Sequence, residues 1–276
     1  VMNKKNNDIM SLFQGSFTVR IEDENSKINL NNCLSGRCKE TVGSLISLFS
    51  SPPEKQFLES KDLDPEKLAY QIKDFINSSN KASSKSGTND ENAYYQKQAS
   101  PYSAKNRPLK DISELRMVKG FNDDEVFNIF SPYMTVHPVP AASGNKPVLV
   151  NINTAKPELI ASLVPSAVGD QCREKFIKKM AQLRKEKKPF ATEAKSLKNV
   201  FKDSLCYSAE TGDEKNDREK WFTTDSKAFQ FTIEGNTHKM QTRLKVVIER
   251  AGSSNKRSIP GQDSSGRSYR ILSWRS

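Results

Sequence analysis

Asp111-Ile-Ser-Glu-Leu-Arg-Met-Val-Lys-Gly120, followed by Phe121-Asn-Asp-Asp-Glu-Val-Phe-Asn-Ile-Phe130, reads as two short helices reversing at a glycine. Asp111 with Glu114, and Asn122 with Glu125, fit the reciprocal cap in which side-chain oxygens satisfy free backbone donors. Gly120 stands where the first helix must stop and turn. A second hairpin opens with Val150-Asn-Ile-Asn-Thr-Ala-Lys-Pro-Glu-Leu-Ile-Ala-Ser-Leu163. There Thr154 is the expected N-cap, and Leu159, Ile160 and Leu163 recur at helical spacing. Arg107–Leu163 therefore predicts a helical body built from hairpins in series.

Working outward, helices are expected at Val42–Phe49 and from Asp64-Pro65 onward, where proline suits the first helical position and Leu68, Ile72, Phe75 and Ile76 make the stripe. Residues 77–100 are rich in Ser, Asn, Lys and Gly and read as a flexible loop. A basic helix carries Phe176, Ile177, Met180 and Leu183 on one face, and a short helix is expected around Leu197, Val200 and Phe201. Toward both ends the period changes to two. Phe17, Val19 and Ile21 alternate inward in an opening strand. Phe229, Phe231 and Ile233, then Leu244, Val246 and Ile248, then Tyr269–Trp274, form three more, linked as an antiparallel meander. The chain ends are expected to meet in one α+β domain (residues 1–31 and 204–276), with 32–203 inserted as an all-α domain, because domain termini commonly lie close together.

At 276 residues and 35% hydrophobic content the chain can build a core, though that content is below the usual ~45–50%, so long polar segments are expected. No apolar run approaches the ~18 residues of a membrane span. The net charge of +11 is uneven. Residues 173–202 hold eleven Lys/Arg against three Glu, whereas 203–226 hold seven acids against three bases. The basic helix and the second hairpin, which is similar to helix-hairpin-helix modules, offer a nucleic-acid reading. Against it, Val164-Pro-Ser-Ala-Val-Gly169 lacks the paired glycines that bring backbone donors to a phosphate, Pro165 removes one donor, and the basic stretch lacks the aromatic interleaving that base stacking needs. A structural hairpin and a solvated helix face are the preferred readings.

Enzyme chemistry finds no motif. His137 and His238 are isolated, Ser226 and His238 match only by residue type, and Asp123 and Asp124 suit the first turn of a helix. Four cysteines without Cys-x-x-Cys spacing disfavour zinc and suit two disulfides in an oxidising compartment, or else four buried thiols. Of three possible connectivities, Cys33–Cys38 with Cys172–Cys206 is the local pairing.

Four blocks, in order, give a family resemblance: Ile21-Glu-Asp-Glu-Asn-Ser-Lys-Ile-Asn-Leu-Asn31, Arg107-Pro-Leu-Lys-Asp-Ile-Ser-Glu-Leu115, Val150-Asn-Ile-Asn-Thr-Ala155, and Phe222-Thr-Thr-Asp-Ser-Lys-Ala-Phe-Gln-Phe231 with Ile271-Leu-Ser-Trp274. The chain resembles the type II secretion protein K family, the largest minor pseudopilins. The resemblance implies a pilin-like domain, its N-terminal helix packed on an antiparallel sheet, interrupted by an all-α insertion with helix-hairpin-helix or SAM-like hairpins. It also implies an N-terminal membrane helix at the periplasmic face of the inner membrane, with Val1 near the cut and Ile9, Met10, Leu12 and Phe13 its stump. The implied role is to cap the pseudopilus tip with minor pseudopilins I and J, touching the secretion channel or exoproteins. Relatives hold calcium in a loop of the pilin-like part. The loop Glu210-Thr-Gly-Asp-Glu-Lys-Asn-Asp-Arg-Glu219, with Asp225, supplies the hard oxygen donors calcium takes, without EF-hand spacing. Glu210, Asp213, Asp217 and Asp225 are the expected ligands, a solvated acidic loop being the alternative.

Overall fold

A computed structural model describes residues 15–34, 38–79, 82–86, 90–139, 148–163, 170–188, 222–237, 240–250 and 269–275, with backbone alone at 170–173. The chain divides into a unit spanning 24–226 and a unit made from both ends, up to Asp23 and from Lys227 onward. Residues 24–31, expected with the end unit, lie in the helical one, because Ile28–Asn29 (β2) pairs in parallel with Met134–Thr135 (β3) and Leu30 is fully buried in the helical core.

The helical unit contains α1 (Cys38–Phe49), α2 (Pro52–Ser60), α3 (Pro65–Ile76), α4 (Asp124–Phe130), α5 (Pro157–Leu163) and α6 (Asp170–Lys185). α3 begins as its sequence dictates: Asp64 accepts the Lys67 amide at 2.8 Å and Pro65 fills the first turn, while Leu68, Ile72, Phe75 and Ile76 are buried. Phe49 packs edge-on against Phe130 at 4.9 Å between centroids and lies 6.1 Å from Phe121. These rings make the centre of a continuous core.

The expected first hairpin is altered in detail. Ile112–Met117 is a 3-10 helix, not an α-helix, although its capping box of Asp111 and Glu114 is present. Only Leu115 of its residues is buried, so little packing favours the longer α-helical turn. Burial opposes ionisation of Glu114, but Lys105 and the amides of Lys110 and Asp111 outweigh it and hold the carboxyl below the ordinary range. The next helix starts one residue later than expected. Asp123 is the cap, accepting from the Glu125 and Val126 amides, whereas Asn122 accepts the Gly120 amide across the turn. Gly120 has φ +91°, and a Cβ there would come within 2.7 Å of Leu68 Cδ1, so both backbone and space require glycine.

Residues 77–100, read as flexible, are largely pinned where described. Tyr95 is buried, with Phe75, Tyr94 and Tyr102 rings centred 5.4, 5.4 and 5.2 Å away. A pair of tyrosines in a polar segment overrides its composition.

The end unit is a four-stranded antiparallel sheet in the order β1 (Gly15–Asp23), β6 (Ala228–Thr237), β7 (Gln241–Arg250), β8 (Tyr269–Arg275). The opening strand joins the closing three through nine register pairs, from Gly15 with Thr237 to Asp23 with Phe229. In the helical unit a short parallel pair, β4 (Val150–Asn151) with β5 (Phe222–Thr223), completes the strands. The expected helices at Ile9–Phe13 and around Leu197 fall outside the described residues.

Candidate functional site

Buried asparagines tie the first sequence block to the second and the third to the start of the fourth. Asn31 is fully buried. Its amide nitrogen donates to the carbonyls of Leu109 (2.9 Å) and Val136 (2.7 Å), and its oxygen accepts the Leu109 amide at 2.9 Å. Asn29 donates to the Pro138 carbonyl at 2.8 Å, and Asn32 exchanges two 3.0 Å bonds with Val148. Asn151 does the same one layer on, donating to Ser226 Oγ at 2.6 Å, while the Ile152 amide reaches the Thr223 carbonyl at 2.9 Å. Buried Glu24 accepts from Thr135 and pairs with Lys27 at 3.2 Å. The asparagines satisfy backbone groups that would otherwise be buried without partners. The blocks are thus clamps that fix loops, and the asparagine run Asn29-Leu-Asn-Asn32 was their one visible sign.

The sheet carries the surface suited to association. Register places Ile21, Phe231, Val246 and Trp274 in one row across all four strands, with Val19, Ile233 and Leu244 in the next. A bulge in the β7–β8 pairing lets Ile271 and Trp274, three residues apart, share that face. Phe17, Val19, Ile21, Ile271 and Trp274 are exposed, Trp274 by 63%. The other face is polar: Arg243 pairs with the opposing Glu234 at 2.7 Å, and Arg270 Nε with Glu249 at 3.1 Å. The strand residues expected to point inward therefore do share a face, but at the sheet margins that face is open.

The nucleic-acid elements are partly turned to other work. Thr154 does not begin the helix, which starts at Pro157; the Thr154 and Ala155 amides instead donate to the Asn151 carbonyl. Arg184 of the basic helix donates to the Ile152 (2.8 Å) and Ala155 (2.6 Å) carbonyls, clamping that turn from within. Burial pushes its guanidinium down from the ordinary range. Phe176 and Met180 are buried as expected, and Lys175, Lys178, Lys179 and Lys185 are exposed. The turn at 164–169 lies outside the described residues. Cys33 and Cys38 are joined by a disulfide. The Cys172 side chain and Cys206 lie outside the described residues, as do Glu210, Asp213 and Asp217. Asp225 is exposed between β5 and β6, its amide bonded to Thr223 Oγ1. Among the described residues no group of three or more His, Cys, Asp or Glu is arranged to hold a metal, and no helix is long and apolar enough to cross a membrane.

Comparison with known proteins agrees with this geometry. The family model for type II secretion system (T2SS), protein K matches residues 26–139, the region bound together by Asn29, Asn31 and Asn32. A type II secretion system protein K of Aeromonas hydrophila is 32% identical over 157 residues, covering 54% of this chain. This chain spans only 44% of that relative's length. Among solved structures, the GspK–GspI–GspJ complex from the enterotoxigenic Escherichia coli type 2 secretion system contains a chain of like fold. Its TM-score is 0.66 at 18% identity, covering 96% of this chain and 80% of that one. The clamped helical unit and the antiparallel sheet define a mixed helix-and-sheet protein. The chain is similar to the protein K family of the type II secretion system over residues 26–139.

Proposed function

We propose that this chain is a minor pseudopilin and works by assembly, without catalysis. It stands with pseudopilins I and J at the tip of a periplasmic pseudopilus, held at the inner membrane through an N-terminal helix, and takes part in export of folded proteins through the secretion channel. The observation that carries the reading is the one-sided sheet, with Phe17, Val19, Ile21, Ile271 and Trp274 exposed on a single face. Its pilin-like occupant is the segment before β1, whose Ile9, Met10, Leu12 and Phe13 recur at helical spacing. The helical unit then serves as a cap: a filament grows by repeating a head-to-tail contact, and a large body on one subunit ends that repetition.

Likeness to a chain crystallised as GspK with GspI and GspJ supports the partners. Calcium in the acidic loop, through Glu210, Asp213, Asp217 and Asp225, belongs to the same proposal; a chelator is expected to lower the melting temperature, and D213N/D217N to diminish that response without abolishing it. The deciding experiment is co-purification with pseudopilins I and J. A stable three-subunit complex is expected. No complex, with a salt-dependent shift of duplex DNA instead, would replace this reading by nucleic-acid binding through the basic helix.

A further inference from the structure

Glu91 is 5% exposed, and among the described residues neither carboxylate oxygen accepts a hydrogen bond within 3.5 Å, although the Asn106 side chain lies close enough to favour its charge. It lines a cavity of about 20 Å³ with Gln71, Asp74, Ser86, Tyr94, Tyr95 and Lys119. Such a volume holds one water-sized occupant, whose minimum is about 10–15 Å³. Asp74, also buried, keeps one lone pair on each oxygen after accepting the Ser83 amide and hydroxyl, both at 2.7 Å. The cation that lines the cavity, Lys119, sits 5.3 Å over the Tyr94 ring. A buried carboxylate without a partner is costly unless neutralised. Burial pushes Glu91 up to about 7, Asn106 offsetting part of this and Asp74 and Asp90 adding to it.

We propose that Glu91 and Asp74 hold a hard divalent cation of the calcium class in this cavity, with the Gln71 side-chain oxygen a further donor. Two carboxylates match a doubly charged ion. Oxygen donors drawn from α3 and from the chain around residue 91 suit calcium's flexible coordination better than the strict octahedron of magnesium. The ion fastens the tyrosine-bearing segment to α3, which explains why a polar stretch of chain is held in place. It is separate from the acidic loop at residues 210–225.

The test is terbium luminescence, excited through the adjacent Tyr94 and Tyr95, together with melting curves in calcium or chelator. It uses the full chain, E91Q, E91D and D213N/D217N near neutral pH. Sensitised emission displaced by calcium, and a calcium-dependent rise in melting temperature, are expected in the full chain and in D213N/D217N. E91Q should lose both, and E91D, which keeps the charge but withdraws it by one methylene, should bind about tenfold more weakly. If E91Q does not fold, E91D decides alone. The proposal is overturned by unchanged terbium affinity in E91Q or E91D, by loss of the response in D213N/D217N, or by stabilisation on acidification with no response to calcium.

Discussion

The helical unit and the end sheet treat their apolar residues in opposite ways. In the first, Phe49, Phe75, Phe121 and Phe130 have no exposure and sit in one continuous core. In the second, Ile21 and Trp274 are 59% and 63% exposed at opposite margins of one face. The first unit encloses its core and pins its loops with buried asparagines. The second leaves the margins of its apolar face open, and its other face carries cross-strand ion pairs that contribute little individually when exposed. Stability is concentrated in one unit and the capacity to associate in the other. That division suits the proposed role, in which a subunit stays folded while being added to a filament.

The largest effect should come from the centre of the helical core. Phe49→Ala removes the contacts with Phe121 and Phe130 and is expected to cost about 3–5 kcal/mol, read as a fall in the urea midpoint. A smaller loss is expected from Asn31→Ala. It removes three bonds, to the Leu109 amide and the Leu109 and Val136 carbonyls, at about 2–4 kcal/mol given a net ~0.5–1.5 for each. A near-neutral result would mean that water replaces the clamp, and that the sequence blocks have another role. Gly120→Ala should cost about 1–3 kcal/mol, from backbone strain at φ +91° and the approach to Leu68; a thermal melt measures it.

These residues also mark how far sequence reading reached. Asp64-Pro65, the Asp111/Glu114 box and Gly120 are local devices whose partners lie within a few residues, so pattern reveals them. The period-two strands were legible for the same reason. Helix α2 was missed because only Leu58 of its nine residues is buried, too sparse a stripe to recognise. The asparagine clamps were not legible because their partners lie 78 to 116 residues away. Only the folded chain brings Asn31 to Leu109 and Val136. Tyr95 is hidden for a related reason: its packing on Phe75 comes from another part of the chain, whereas composition describes only the neighbourhood.

The smallest stability effect should be on the sheet, and it tests the comparison most directly. Ile21→Ser with Trp274→Ser changes two exposed side chains on opposite edge strands. The cost is expected to stay within about 0.5 kcal/mol each, as for surface positions without special contacts. The same pair should alter surface chemistry strongly. A chain beginning at Gly15 is expected to bind more of a hydrophobic dye than the 276-residue chain, because the proposed occupant of the apolar face is gone, and the double substitution should suppress that excess. If truncation leaves dye binding unchanged, the segment before β1 does not seat there. If the double substitution destabilises the chain as much as Phe49→Ala, the face is a core and not a docking surface. The separation between a unit that folds and a unit that associates would then fail, since both would depend on enclosed apolar packing to the same degree.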